Sequence, residues 1–129
     1  MGAALREQGF EVFDDWFAAS ERADSAWQEY ETARGHTYPQ ALMGYAATHV
    51  FEFDHHHLNR ADCGVLVMPA GKSGHIELGY LVGQGKETYV LFDQPPDRWD
   101  VMYRFTNGVF FNQEDLIHAL HHSKAARRP

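Results

Sequence analysis

The stretch Pro69-Ala70-Gly71-Lys72-Ser73-Gly74-His75-Ile76-Glu77-Leu78-Gly79-Tyr80 places a hydroxyl, a cation and a carboxylate close to two flexible glycines. Gly71 and Gly74 permit tight backbone turns. Free amides at a helix start, with the Ser73 hydroxyl beside them, suit a sugar hydroxyl or a phosphate, and Lys72 adds positive charge. The string Gly71-Lys72-Ser73 is not a P-loop, because the glycine which that motif requires five residues earlier is Leu66. With successive residues about 100° apart, Glu77 falls between Tyr80 and Leu81 on a helix whose surface is mostly apolar or glycine. A carboxylate there either faces solvent near the helix start, where the macrodipole favours it, or lines a pocket. The residues alone leave both open.

Other reactive side chains are less organised. His55-His56-His57 are adjacent, so on a helix their rings diverge and cannot all meet one ion. His118 and His122 share a helical face, and His121 can join His118, but no neighbouring carboxylate or cysteine completes a metal signature. No metal site is expected, and the histidine run reads as a pocket rim or a solvated surface. Cys63 opens an apolar run with no dedicated base beside it, which fits packing better than nucleophilic work. Trp16, Trp27, His36 and Tyr38 could roof a planar ligand by stacking, or simply pack a core. Trp99, Met102, Tyr103 and Phe105 read as anchors of a late short helix or as a subunit contact.

The elements that must position these groups follow from glycine punctuation and apolar periodicity. A helix is expected over residues 1–8, stopped by Gly9, then a short strand over 10–13. Residues 20–34 have helical spacing of Ala23, Ala26, Trp27 and Tyr30, closed by Gly35. Two further helices are expected over 38–48 and 50–60, with Pro39 fitting only a first turn. The continuous apolar run Gly64-Val65-Leu66-Val67-Met68 reads as a parallel strand covered on both faces. A turn over 69–73, a helix over 74–84 closed by Gly85, and a second buried strand over 88–92 complete a βαβ unit. In such a sheet, ligands bind beyond the carboxyl ends of the strands, where the loop at Pro69 begins. Pro95-Pro96 breaks the chain. A short helix over 97–105, a strand over 109–111, a helix over 113–122 and a frayed basic tail over 123–129 are expected to follow.

The chain of 129 residues, 44% hydrophobic and 14% aromatic, has the size of one compact domain and the apolar content to fold. With 18 acidic against 11 basic residues and a net charge of −7, it lacks the clustered cations of a polymer nucleic-acid surface. One cysteine excludes an internal disulfide and favours a reducing cytosol. No secretory leader is visible, and no run approaches the roughly 18 apolar residues of a membrane span. A cytoplasmic protein is expected.

The segment Ala61-Asp62-Cys63-Gly64-Val65-Leu66-Val67-Met68-Pro69, followed by Ser73-Gly74-His75-Ile76-Glu77-Leu78-Gly79-Tyr80 and Gly83-Gln84-Gly85-Lys86, resembles the core of the nucleoside 2-deoxyribosyltransferase family. Relatives of that family include deoxynucleotide N-hydrolases. The likeness is strongest over residues 54–92. It implies a flavodoxin-like or Rossmann-like α/β domain over residues 1–122 with a mostly parallel sheet. Family members begin with a strand, whereas this chain opens on Met1-Gly2-Ala3-Ala4-Leu5, matching the helix that follows it. The resemblance therefore implies a sheet without its usual first strand.

Carried over residue by residue, the family's nucleophilic glutamate falls on Glu77. Its active-site aspartate near the nucleobase falls on Asp54, eight residues before Asp62, which itself reads as a structural cap. The position six before the glutamate, an aspartate or serine in better-known members, is Gly71 here, with Ser73 as a possible substitute. Substrate contacts are then expected from Gly71, Lys72, Ser73, Gly74 and Tyr80. Arg104, Thr106 and Asn107 are candidates to reach a neighbouring subunit's sugar or phosphate, since the family forms homo-oligomers with shared sites. The implied activity is cleavage or exchange of the N-glycosidic bond of a 2-deoxynucleoside or its 5′-monophosphate through a covalent glycosyl-glutamate, with no cofactor. The alternative is a nucleotide-binding or assembly domain that keeps the pocket without efficient turnover.

Overall fold

The computed structural model describes residues 1–14 and 21–127. Its elements, in order, are α1 (Gly2–Glu7), α2 (Glu21–Ala33), α3 (Tyr38–Leu42), α4 (Tyr45–Arg60), β1 (Cys63–Val67), α5 (Lys72–Gly83), β2 (Glu87–Leu91), a 3₁₀ helix (Val101–Phe105), β3 (Gly108–Phe110) and α6 (Gln113–Arg127). The expected α/β class is what the structure has: one open, all-parallel sheet of three strands in the order β1-β2-β3. Contacts divide the chain into two compact units rather than the one body its length suggests. One is a sheet unit of Met1–Val12 with Asp62–Pro129, and the other is a helical unit of Phe13–Ala61.

In the sheet unit, Cys63 to Val67 pair in register with Glu87 to Leu91, and Tyr89 to Leu91 pair with Gly108 to Phe110. The central strand is the buried one. Thr88, Tyr89, Val90 and Leu91 are all covered, whereas in β1 only Leu66 is buried and Val67 is 44% exposed. The expectation that residues 64–68 are covered on both faces is corrected accordingly, since a strand paired on one side only leaves part of its surface open. One cluster packs Leu5, Tyr89, Leu91, Leu116 and Leu120 together, and a second packs Leu66, Leu78, Val90 and Phe92.

The strand expected over 10–13 does not form. Its residues are apolar for a different purpose: Phe10 and Val12 pack against the first core cluster, while the Phe10 amide donates to the Leu5 carbonyl and Arg6 donates to the Val12 carbonyl. Helix stops are better foreseen. Gly9, Gly35 and Gly85 follow α1, α2 and α5 at φ values of 86°, 78° and 76°, a region that side chains disfavour. The last helix continues through Arg127, so Ser123 and Lys124 belong to it instead of to a frayed tail.

In the helical unit, the break between α3 and α4 comes at Gly44, earlier than the expected boundary near residue 49. A capping box explains the short α3: the Thr37 side chain accepts from the Gln40 amide while the Gln40 side chain accepts from the Thr37 amide, with Pro39 in the first turn as expected. Among the described residues, no helix is long and apolar enough to cross a membrane.

Candidate functional site

The β1–α5–β2 unit supplies the loop that sequence reasoning singled out, with one shift. Helix α5 begins at Lys72 with Gly71 as its N-cap, two residues earlier than expected, so Lys72 and Ser73 lie on the first turn. Gly74 is where the helix approaches the sheet, since a Cβ there would stand 3.1 Å from Leu66 Cδ1. Leu78 and Leu81 continue this buried face. Ser73, Glu77 and Tyr80, at intervals of four and three, run along one flank, where Glu77 and Tyr80 are half-buried and Ser73 is exposed. The Tyr80 hydroxyl accepts from Gln84 Nε2 at 3.2 Å.

Electrostatically, this helix start favours an anion. Its first amides have no intrahelical acceptors, and Lys72, exposed at the first position, adds to the positive end of the dipole instead of opposing it. His75 closes the turn: its Nδ1–H donates to the Gly71 carbonyl at 2.8 Å. In the neutral ring Nε2 is then an acceptor, and it takes the Tyr103 hydroxyl at 2.8 Å. Burial and the nearby Asp100 carboxylate push the Tyr103 hydroxyl above its ordinary pKa. The 3₁₀ helix is thereby tied to the first turn of α5.

Asp54 is buried on α4 and belongs to the helical unit, whereas Glu77 belongs to the sheet unit. Asn107 serves the sheet itself. Its Oδ1 accepts from the Thr88 amide at 3.0 Å and its own amide donates to the Thr88 carbonyl at 2.8 Å, extending the pairing of β2 with β3. Thr106 donates to the Tyr103 carbonyl, closing the 3₁₀ helix, and Arg104 is exposed.

Three histidines of α4, His49, His55 and His57, meet aromatic rings, with Phe53 against His57 edge-on. Tyr45 with His49, Phe51 with His55, and Phe53 with His57 each repeat an aromatic four residues before a histidine along α4, and Phe13 stacks on His57 at 3.7 Å. That i, i+4 spacing of aromatic and histidine was present in the sequence, and Tyr45, His49 and Phe51 form such pairs on exposed surface. His121 Nε2 donates to Gln8, and no group of three or more metal-ligating side chains forms among the described residues. Of the aromatics considered as a roof, Trp27 packs edge-on against Tyr38, while His36 Nδ1–H donates to the buried Glu31 carboxylate at 2.5 Å. Trp16 lies outside the described residues.

Two features escaped sequence reasoning. One is a groove of about 460 Å³ beyond the ends of β2 and β3, walled by Phe92, Trp99, Tyr103 and Phe111. The other is a polar cluster in which Tyr89 donates to Glu87 at 3.0 Å and Ser123 donates to the same carboxylate oxygen. Burial and the Glu87 carboxylate push the Tyr89 hydroxyl up to about 12. The polar cluster needs Ser123 from α6 beside β2, and the groove forms only when the two ends of residues 92–111 are brought together.

No family model, curated protein or solved structure matches the chain. The functional reading therefore rests on the residues and their geometry.

Proposed function

We propose that the protein cleaves or exchanges the N-glycosidic bond of a 2-deoxynucleoside or its 5′-monophosphate. The observation that supports this reading is the flank of α5: Glu77 stands half-buried one turn beyond Ser73, on a helix whose positive start and Lys72 lie beyond the carboxyl end of β1. Ionised Glu77 attacks the anomeric carbon. The carbon–nitrogen bond breaks, its electron pair leaves with the base, and the base takes a proton from water. The glycosyl ester then passes to water or to a second base, and the two displacements retain configuration. Ser73, the Gly71–Gly74 backbone and Lys72 hold the sugar or phosphate, with Tyr80 beside them. The reading needs no cofactor, and it takes the protein to be a cytosolic homo-oligomer.

Incubation with a panel of deoxynucleosides and their monophosphates, with and without acceptor bases, is expected to release or exchange base. Glu77→Gln abolishes the reaction. Turnover that survives Glu77→Gln overturns the mechanism. Saturable binding of the same ligands without any base release identifies a nucleotide-binding domain instead.

A further inference from the structure

The groove beyond β2 and β3 is built unlike the Glu77 flank. Trp99 is 88% exposed and has no ring partner among the described residues. Phe111 lies nearly parallel to Phe92, at 5.6 Å and 18°, while Tyr103 meets Phe92 at 5.6 Å and 87°. Two of the walls are thus steeply inclined to each other, as the sides of a corner are. Pro95 and Pro96, both in the lining, restrict the backbone on the approach to Trp99.

Asp100 alone among the lining residues carries a charge. Its Oδ1 caps the 3₁₀ helix by accepting from the Met102 amide at 2.8 Å, and its Oδ2 makes no hydrogen bond among the described residues. The carboxylate's field is felt inside the groove, where it helps to raise the Tyr103 hydroxyl. The other polar group there, the Tyr103 hydroxyl, is already engaged by His75.

This composition selects among ligands. A nucleobase would bring several edge atoms that need partners and find one carboxylate oxygen. A neutral hydrocarbon would gain nothing from the charge of that exposed carboxylate. A cation with an apolar shell satisfies both surfaces, because electron-rich ring faces and a carboxylate attract it together without demanding directional bonds. We infer that the groove walled by Trp99, Tyr103 and Phe111 binds a small, free alkylated ammonium ion through these rings and Asp100.

The experiment titrates the full chain with choline chloride and, separately, with its neutral isostere 3,3-dimethylbutan-1-ol, at matched ionic strength, by calorimetry and by the indole NMR signal of Trp99. Choline is expected to bind at least about tenfold more tightly than the isostere. Trp99→Ala removes binding, and since the position is exposed it leaves the fold intact. Asp100→Asn keeps the cap, because asparagine caps as well as aspartate, yet weakens choline about tenfold without affecting the isostere. Equal affinity for the two probes, binding retained in Trp99→Ala, or no saturable signal at tens of millimolar choline (roughly the weakest useful affinity) overturns the inference. Co-sedimentation with phosphatidylcholine vesicles in the absence of choline binding overturns the assignment to a free cation. Glu77→Gln is expected to bind choline normally, so failure of this site and failure of the glycosidic reading are told apart.

Discussion

The sheet unit and the helical unit bury different things. Of the buried apolar residues, Ala41 and Leu58 belong to the helical unit, while Leu5, the leucines of α5 and α6, and the run from Tyr89 to Phe92 belong to the sheet unit. Buried polar groups divide just as cleanly: hydroxyls at Thr88 and Ser123 in the sheet unit, carboxylates at Glu31 and Asp54 in the helical unit. Both units leave large apolar side chains exposed, Tyr38, Met43, Tyr45 and Phe51 in the helical unit and Ile76, Trp99, Val101 and Phe105 in the sheet unit, so the contrast lies in what each one buries. Apolar burial stabilises the sheet unit, against the cost of one buried hydroxyl, Thr88 Oγ1, that has no hydrogen-bond partner among the described residues. The helical unit covers two carboxyl groups with a thin apolar set, and covering a carboxyl group is unfavourable unless a hydrogen-bond partner meets it. The helical unit is therefore the region where local opening should be easiest and where a change of partner matters most.

The largest effect tests the sheet side of this contrast. Leu116 is fully buried among Leu5, Tyr89, Leu91 and Leu120, so Leu116→Ala removes a large side chain and leaves a cavity. A loss of about 2–5 kcal/mol is expected, read from amide exchange in β2. A loss below about 1 kcal/mol would mean that the cluster is loosely packed and the contrast drawn too sharply.

On the helical side, the sensitive element is a pair. His36 Nδ1–H donates to Glu31, whose side chain is 7% exposed against 40% for the histidine. His36→Ala leaves the carboxylate covered without its donor and is expected to cost about 1–3 kcal/mol. Glu31→Gln removes the charge while its Oε1 can still accept from His36 Nδ1–H, and its cost should stay below about 1 kcal/mol. Urea melts followed by circular dichroism would show this asymmetry. Equal losses from the two changes would show that packing, not the buried charge, governs the unit.

How much of this was legible depended on whether the determinants were local. The β1–α5–β2 unit could be read from two apolar runs flanking a glycine-closed helix, and the ends of α1, α2 and α5 from Gly9, Gly35 and Gly85. Residues 10–13 misled because aromatic and β-branched residues suit a strand and a core-facing segment equally. The start of α5 was misplaced because Gly71, with no capping side chain, does not announce an N-cap. Glu77 was singled out through the family resemblance, since its helical position alone fits a solvent-facing carboxylate as well as a pocket-lining one. The Trp99 groove was not foreseen, because Phe92, Trp99 and Phe111 come together only when β2 and β3 pair. The one local hint was the density of aromatics and prolines between Phe92 and Phe111.

The smallest effect sharpens the contrast by asking how the sheet unit handles its own polar cluster. Tyr89 is 6% exposed and donates to Glu87, which also accepts from Ser123. Burial, followed by the Glu87 hydrogen bond and charge, lifts the Tyr89 hydroxyl from 10.0 to about 12. The folded chain therefore holds this proton where the unfolded chain releases it. The stabilisation is complete below pH 10, declines as the pH rises through the window, and is gone above about 12. It should amount to about 1–2 kcal/mol once solvent screening is allowed for. Tyr89→Phe keeps the ring in the core and removes the titrating group, so the difference in stability between the variant and the parent should change between pH 9 and 11 (roughly the accessible part of the window). A pH-independent difference would mean that the hydroxyl titrates alike in both states, and that the sheet unit holds this polar group no more firmly than solvent does.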